Sequence, residues 1–179
     1  TAISSSGEVY TGNFHEDKAH GQGRSIDKEG VYYEGDWKDG KKSGYGKEVT
    51  KMSEYDGQWS QGQKHGKGKA LFKDGSNFEG IFVNGQIDGF GLYKYSNGDM
   101  YQGNFRNSKK HGQGKLTLSG GMIFEGEFFE GNIQGNGTLT QQDGIKYTGS
   151  FINNRQHGEI ITTTPDGKRS KALWENGAE

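Results

Sequence analysis

The 179-residue chain carries 33 Gly, one Pro and no Cys, and its 22 Lys+Arg against 23 Asp+Glu leave a formal charge of −1. Without Cys it can form no disulfide, thiolate metal site or thiol nucleophile, and without a domain-wide basic excess it is not expected to bind nucleic acid. Its 10 Phe, 9 Tyr and 3 Trp are too many for a disordered chain, and Gly does not recur every third residue as collagen requires.

From the N-terminus, Thr1-Ala2-Ile3-Ser4-Ser5-Ser6 has neither the basic nor the apolar region of a secretory signal. No run of 18 or more apolar residues follows anywhere, so no membrane-spanning helix is expected. An aromatic–x–Gly–x–aromatic element then recurs along nearly the whole chain. It begins as Tyr10-x-Gly12-x-Phe14, Tyr33-x-Gly35-x-Trp37 and Tyr55-x-Gly57-x-Trp59. Phe78-x-Gly80-x-Phe82, Tyr101-x-Gly103-x-Phe105, Phe124-x-Gly126-x-Phe128 and Tyr147-x-Gly149-x-Phe151 continue it. Successive leading aromatics are 23 residues apart, except for one spacing of 22 between Tyr33 and Tyr55. A Gly-x-Gly starts 11 residues after six of the seven leaders, and a further Gly stands at offset 20 in most copies. The short spacing places a deletion in the turn Lys51-Met52-Ser53-Glu54, and the seventh copy carries Ile160 where the second Gly of the pair belongs. Gly7 fits the end of a preceding copy, and Trp174 with Gly177 fits the start of an eighth. Complete repeats are therefore expected over about residues 10–169, with partial repeats at 1–9 and 170–179. A start in mid-repeat without Met reads as a piece excised from something longer, or as a chain trimmed by proteolysis.

Within each triplet the offsets 0, 2 and 4 share one face of a strand, because side chains alternate with a period of two. Offsets 1 and 3 are mostly polar, as in Glu34/Asp36 and Glu125/Glu127, which is the alternation of a half-buried strand. The intervening Gly leaves room for neighbouring rings. A turn such as Asp39-Gly40 or Asn84-Gly85 follows, with Asp17, Ser108 or Asn154 in copies lacking its Gly; these residue types tolerate the positive φ that tight hairpins require. The strand opened by Gly-x-Gly carries apolar residues at offsets 15 and 17, as in Tyr93/Tyr95 and Leu116/Leu118. Each repeat thus reads as one β-hairpin. The chain is expected to be all-β, an elongated, single, twisted antiparallel sheet of seven consecutive hairpins, stabilised by nearest-neighbour terms.

The consensus Tyr-x-Gly-x-Trp-x-x-Gly-x-x-x-Gly-x-Gly at this period resembles the MORN repeat (membrane occupation and recognition nexus), over about residues 7–177. The resemblance implies an extended, twisted all-β array that serves as a scaffold or recognition surface and not as an enzyme. It also implies cytoskeletal, ciliary or cortical assemblies in the cytoplasm as the setting, and a groove that accepts a segment of a protein partner.

Two candidate sites emerge. The first is an aromatic ladder of Tyr33, Trp37, Tyr55, Trp59, Phe78, Phe82, Tyr101, Phe105, Phe124, Phe128, Tyr147 and Phe151, which forms the only available core and could also line a partner-binding groove. The second is a basic edge of Lys18, Lys41, Lys42, Lys64, Lys109, Lys110 and Arg155, with Lys47, Lys67, Lys69 and Lys115 just beyond; lined up along one set of turns, these charges could hold anionic phospholipid or an acidic partner. His20, His65, His111 and His157 share offset 10 in alternate copies, but neighbours four strands apart stand about 19 Å from each other, so they cannot share one metal. The stretch Gly35–Lys42 imitates a phosphate loop but lacks its final Ser/Thr and its helix. No catalytic constellation and no cofactor site stands apart from the repeat. The leading reading is a non-enzymatic scaffold that binds a protein or peptide partner through the aromatic groove. The alternatives are a membrane-proximal tether recognising phosphoinositide, and the accessory domain of a larger enzyme. Unpaired terminal strands also raise an end-to-end homo-oligomer.

Overall fold

The computed structural model describes residues 1–178. Among them there is no helix, and sixteen strands follow one another in chain order as an open antiparallel sheet. Two compact units divide at Ile87/Asp88. The first contains β1 (Ala2–Ile3), β2 (Val9–His15), β3 (Lys18–Ile26), β4 (Tyr32–Lys38), β5 (Lys41–Val49), β6 (Ser53–Ser60), β7 (Gln63–Phe72) and β8 (Asn77–Val83). The division falls within β9 (Gln86–Lys94). The second unit continues with β10 (Met100–Arg106), β11 (Lys109–Thr117), β12 (Ile123–Phe129), β13 (Asn132–Thr140), β14 (Lys146–Ile152), β15 (Arg155–Thr163) and β16 (Arg169–Trp174). Consecutive hairpins are therefore what the repeat builds, two strands to a copy.

Each aromatic strand turns into its glycine strand through two residues of positive φ, as at Asp39 (49°) and Gly40 (80°). This is the mirror-image turn whose twist matches that of the strands. Asp17, Ser108 and Asn154 take φ of 58°, 62° and 68° in place of Gly, as the sequence implies. The residue before them is also left-handed, and there the sequence gives less sign of it, since Glu16, Gln61 and Glu130 occupy that position. Replacing Gln61 (φ 51°) by Asn, which visits this region readily, is expected to stabilise the protein by about 0.5 kcal/mol. A rise in the thermal midpoint checks it.

The turns between repeats are three-residue loops closed by a Gly amide, for example Gly30 N donating to Asp27 O at 3.0 Å. The deletion in the second copy shortens this loop to Lys51-Met52, with Thr50 N donating to Ser53 O at 2.8 Å. Thr50 Oγ1 accepts from Ser53 N at 2.9 Å, so a side chain closes the turn that lacks its glycine.

Register explains the glycines. Across the first unit Gly12, Gly23, Gly35, Gly46, Gly57, Gly68 and Gly80 pair in sequence from strand to strand. Gly91, Gly103, Gly114, Gly126, Gly137 and Gly149 repeat the row in the second. The leading rings lie on this bare strip: a Cβ on Gly46 would stand 2.3 Å from Tyr33 Oη, and one on Gly114 2.3 Å from Tyr101 Oη. Within each hairpin the register shifts, as between Gly35 and Trp37. The first Gly of the Gly-x-Gly pair absorbs the shift with a positive φ, 55° at Gly44 and 73° at Gly66. It also makes room for the side chain opposite. Asp36 Oδ2 accepts from Tyr45 N at 2.8 Å, and Gln58 Oε1 from Lys67 N at 2.7 Å. The offset-3 polar residue therefore satisfies an amide that the bulge has removed from the ladder.

Each hairpin tip also hangs on the preceding repeat. Gly40 N donates to Ala19 O and Gly62 N to Lys42 O, both at 2.9 Å, and Gly131 N to Lys110 O at 2.9 Å. This is the physical form of nearest-neighbour coupling.

Candidate functional site

The aromatic ladder is the core of both units. In the first, Tyr33 meets Trp37 and Trp59 edge-on at 5.3 and 5.1 Å, and Tyr55 meets Trp59 and Phe82 at 5.4 and 4.9 Å. Phe78 continues the row onto Phe82 at 5.3 Å. In the second, Tyr101 meets Phe105 and Phe128 at 5.0 and 4.9 Å, and Phe124 meets Phe128 and Phe151 at 5.4 and 5.0 Å. Edge-on rings add roughly 0.5–1.5 kcal/mol per pair beyond burial. Of the twelve rings proposed for the groove, all but Tyr147 are buried.

The polar atoms of these rings are used inside the fold. Tyr33, Tyr55 and Tyr101 donate to the carbonyls of Asp36, Gln58 and Asn104 at 2.9, 2.8 and 2.9 Å. Those carbonyls belong to the residues skipped by the register shift. Trp37 and Trp59 Nε1 donate to Gly23 O and Gly46 O at 3.1 and 3.0 Å. Burial pushes the three phenols well above their ordinary pKa.

The seven cations of the basic edge divide by strand parity. Lys18, Lys41, Lys109 and Arg155 open their strands and are exposed; Lys41 Nζ donates to Gln61 Oε1 at 3.1 Å, and Lys109 pairs with Glu130 at 2.6 Å. Lys42, Lys64 and Lys110, one residue on in the repeat, turn inward over the rings. Lys42 Nζ is 4.8 Å from the Tyr33 centroid and 4.9 Å from that of Trp59. Lys64 Nζ is 5.0 Å from Tyr55. Lys110 Nζ is 5.7 Å from Tyr101, 5.5 Å from Phe128 and 6.0 Å from Tyr95. The outlying Lys47, Lys69 and Lys115 pair across strands with Glu54, Glu79 and Glu125 at 2.8, 3.2 and 3.0 Å.

Glu48 is the functional group that residue-type reasoning missed. Its carboxylate meets Lys42 at 2.6 Å and Lys64 at 3.0 Å, and its side chain is only 13% exposed. The hairpin register was the available signal, because Glu48 pairs laterally with both Tyr33 and Tyr55 and so faces the rings. Burial alone would raise its carboxyl pKa; the hydrogen bonds and charges of Lys42 and Lys64 outweigh that and hold it below the ordinary glutamate value. Its contribution is thus present above the unfolded-state pKa and is lost as pH falls through the lower folded-state one. Glu48→Gln is expected to cost about 2 kcal/mol at pH 7, since it leaves two half-buried ammonium groups unpaired. Urea titrations should show the gap between variant and parent closing as pH drops below 4.5, the unperturbed value.

The offset-10 residues face the next hairpin tip. Asp88 Oδ2 accepts from Asn107 N and Gln134 Oε1 from Asn153 N, both at 3.1 Å. His20 Nδ1 lies 3.5 Å from Asp39 Oδ1. The Nδ1 atoms of His20, His111 and His157 are buried without a hydrogen-bond partner. Among the described residues no group of three His, Cys, Asp or Glu side chains is arranged to hold a metal ion.

The two units differ on the ring face. Beside the leading aromatics the first presents Ser25, Glu48 and Ala70. The second presents Tyr93, Leu116 and Leu139 in the same register, all half-buried, as are Tyr95 and Leu118. Seven matches to the family model of the MORN repeat cover residues 10–31, 33–51, 55–77, 78–100, 101–123, 124–146 and 147–169. The chain belongs to the MORN repeat family. No curated protein matches this MORN array. Among solved structures it is similar to the TCP domain of Drosophila melanogaster SAS-4 (dCPAP), solved in complex with a proline-rich motif of Ana2 (dSTIL). That likeness has a TM-score of 0.57 at 11% identity and covers 97% of this chain and 94% of that one. The TCP10 domain of Danio rerio CPAP, in complex with a STIL peptide, matches with a TM-score of 0.44 at 10% identity, covering 93% and 83%. At such identities the SAS-4 likeness speaks for the architecture of the MORN array alone. No helix of the described residues is long and apolar enough to cross a membrane.

Proposed function

We propose that this MORN array is a non-enzymatic scaffold that binds an extended segment of a protein partner along the ring face of its second unit, in a cytoskeletal or centriole-related assembly. The observation that carries the reading is the row of half-buried Tyr93, Tyr95, Leu116, Leu118 and Leu139, of which Tyr93, Leu116 and Leu139 stand beside the leading rings in the sheet register, and which no second layer covers among the described residues. The SAS-4 TCP domain, alike in architecture, was solved holding a proline-rich partner motif, which supports a peptide as the ligand class. In this proposal the buried rings form the floor of the groove, and the residues beside them make the contacts.

The phospholipid reading has no such support. Lys42 and Lys64 are spent on Glu48, Lys109 on Glu130, and Lys47, Lys69 and Lys115 on cross-strand glutamates. Arg169 of β16 places charge on that terminal strand, which works against association of copies there.

Panning a random dodecapeptide library against the folded protein tests the proposal. Selected peptides are expected to lose binding to a Leu116→Lys, Leu139→Lys double variant, and to keep it when the exposed Tyr45 and Phe90, which occupy the bulge position between the paired glycines, are changed to Ser. The opposite result, with binding lost on the Tyr45 and Phe90 changes alone, would move the site off the ring face.

A further inference from the structure

Three lysines lean over the rings, and only two are neutralised there. Lys42 and Lys64 close on Glu48, which flanks Tyr33 and Tyr55 in the sheet register. The residues that flank Tyr101 in the same way are Tyr93 and Leu116, and neither can supply a carboxylate. Lys110 is half-buried and, among the described residues, makes no ion pair. Asp99, the acidic group whose charge it feels, has its oxygens engaged by Ser119 N at 2.8 Å and Asn97 Nδ2 at 2.9 Å. The second unit therefore keeps the lysine and the aromatic platform of the first, and lacks the anion.

We propose that Lys110 anchors a carboxylate of the bound segment: an Asp or Glu side chain of an otherwise apolar peptide takes, beside Tyr95, Tyr101 and Phe128, the place that Glu48 takes between Lys42 and Lys64. The first unit supplies the precedent within one chain, showing that the ring face accepts a carboxylate when a lysine lies over it. The apolar neighbours Tyr93, Leu116 and Leu139 would bury flanking residues and exclude water, which strengthens a charge-assisted bond. Burial already holds the Lys110 ammonium below the ordinary lysine value, so an incoming carboxylate relieves a cost that the free protein bears. The inference rests on the ring face being the partner surface.

The probes are the peptides selected from the random dodecapeptide library, each compared with its acid-to-amide counterpart by fluorescence polarisation. The expected result is a shared acidic position whose change to Asn or Gln weakens binding to the parent protein about tenfold and changes binding to Lys110→Gln little. Leu116→Glu, which places the chain's own carboxylate beside Lys110 as Glu48 stands beside Lys42, should weaken the acidic peptides similarly. That variant carries the test if Lys110→Gln unfolds. Peptides that bind the ring face with no acidic preference, or whose preference survives both variants, overturn the carboxylate anchor and leave the face standing. No selected peptide, or selected peptides indifferent to the Leu116→Lys, Leu139→Lys pair, overturns the face and the anchor together.

Discussion

Gly46→Ala is expected to destabilise the protein by about 3 kcal/mol, as a lower urea midpoint, because one added methyl overfills a site with no slack. The new Cβ would stand 2.3 Å from Tyr33 Oη and 2.5 Å from its Cζ. The ring has nowhere to retreat. It is fully buried, held edge-on by Trp37 and Trp59, and tied to Asp36 O at 2.9 Å. Gly46 is not among the residues of positive φ, so the cost is steric and not conformational. The seventh copy displays the alternative packing. Ile160 fills the ladder position, itself fully buried, and its leading Tyr147 is only half-buried and rests on Trp174 at 5.6 Å. A side chain at this position therefore comes with a displaced ring. An unchanged midpoint in Gly46→Ala would show that Tyr33 moves aside freely and would remove the account of the glycine ladder.

Trp59→Ala is expected to cost about 3–5 kcal/mol, the range for emptying a large aromatic site. It deletes edge contacts to Tyr33 and Tyr55, leaves Gly46 O without its 3.0 Å donor, and takes away the surface under Lys42. Trp59→Phe keeps most of the packing and loses the hydrogen bond, so it should cost about 1 kcal/mol; the later copies carry Phe at this position. Denaturant titration of both variants separates the two contributions. Equal, small losses would mean that the ring is peripheral. The consequence for binding is direct: loss of partner capture in a Trp37→Ala, Trp59→Ala variant would report unfolding, so binding is tested at Leu116, Leu139 and Lys110.

Much of this was legible in the residues because the repeat is local. Hairpin boundaries, the Asp17, Ser108 and Asn154 turns and the role of glycine beneath the rings follow from residues within one 23-residue copy, and the period follows from its recurrence. The placement of the lysines did not. Lys41 and Lys42 are adjacent in sequence and read as one basic edge, yet alternation sends the first to solvent and the second over Tyr33 and Trp59. Likewise the ion pairs of Lys47, Lys69 and Lys115 depend on cross-strand register, which sets Glu79 and Glu125 opposite Lys69 and Lys115 and Glu54 diagonally across from Lys47.

The amino-acid sequence by itself determined the family, the all-β hairpin array and, with Tyr147 and Tyr10 as exceptions, the core rings, since these depend on the repeat and its internal spacings. Only the tertiary structure decided which surface remains to do work. The shift of register inside each hairpin sets which residues of neighbouring repeats meet on the ring face. That meeting gives Lys42 and Lys64 a shared Glu48, gives Lys110 Tyr93 and Leu116 instead, and so leaves one cation on an aromatic floor without an ion pair among the described residues.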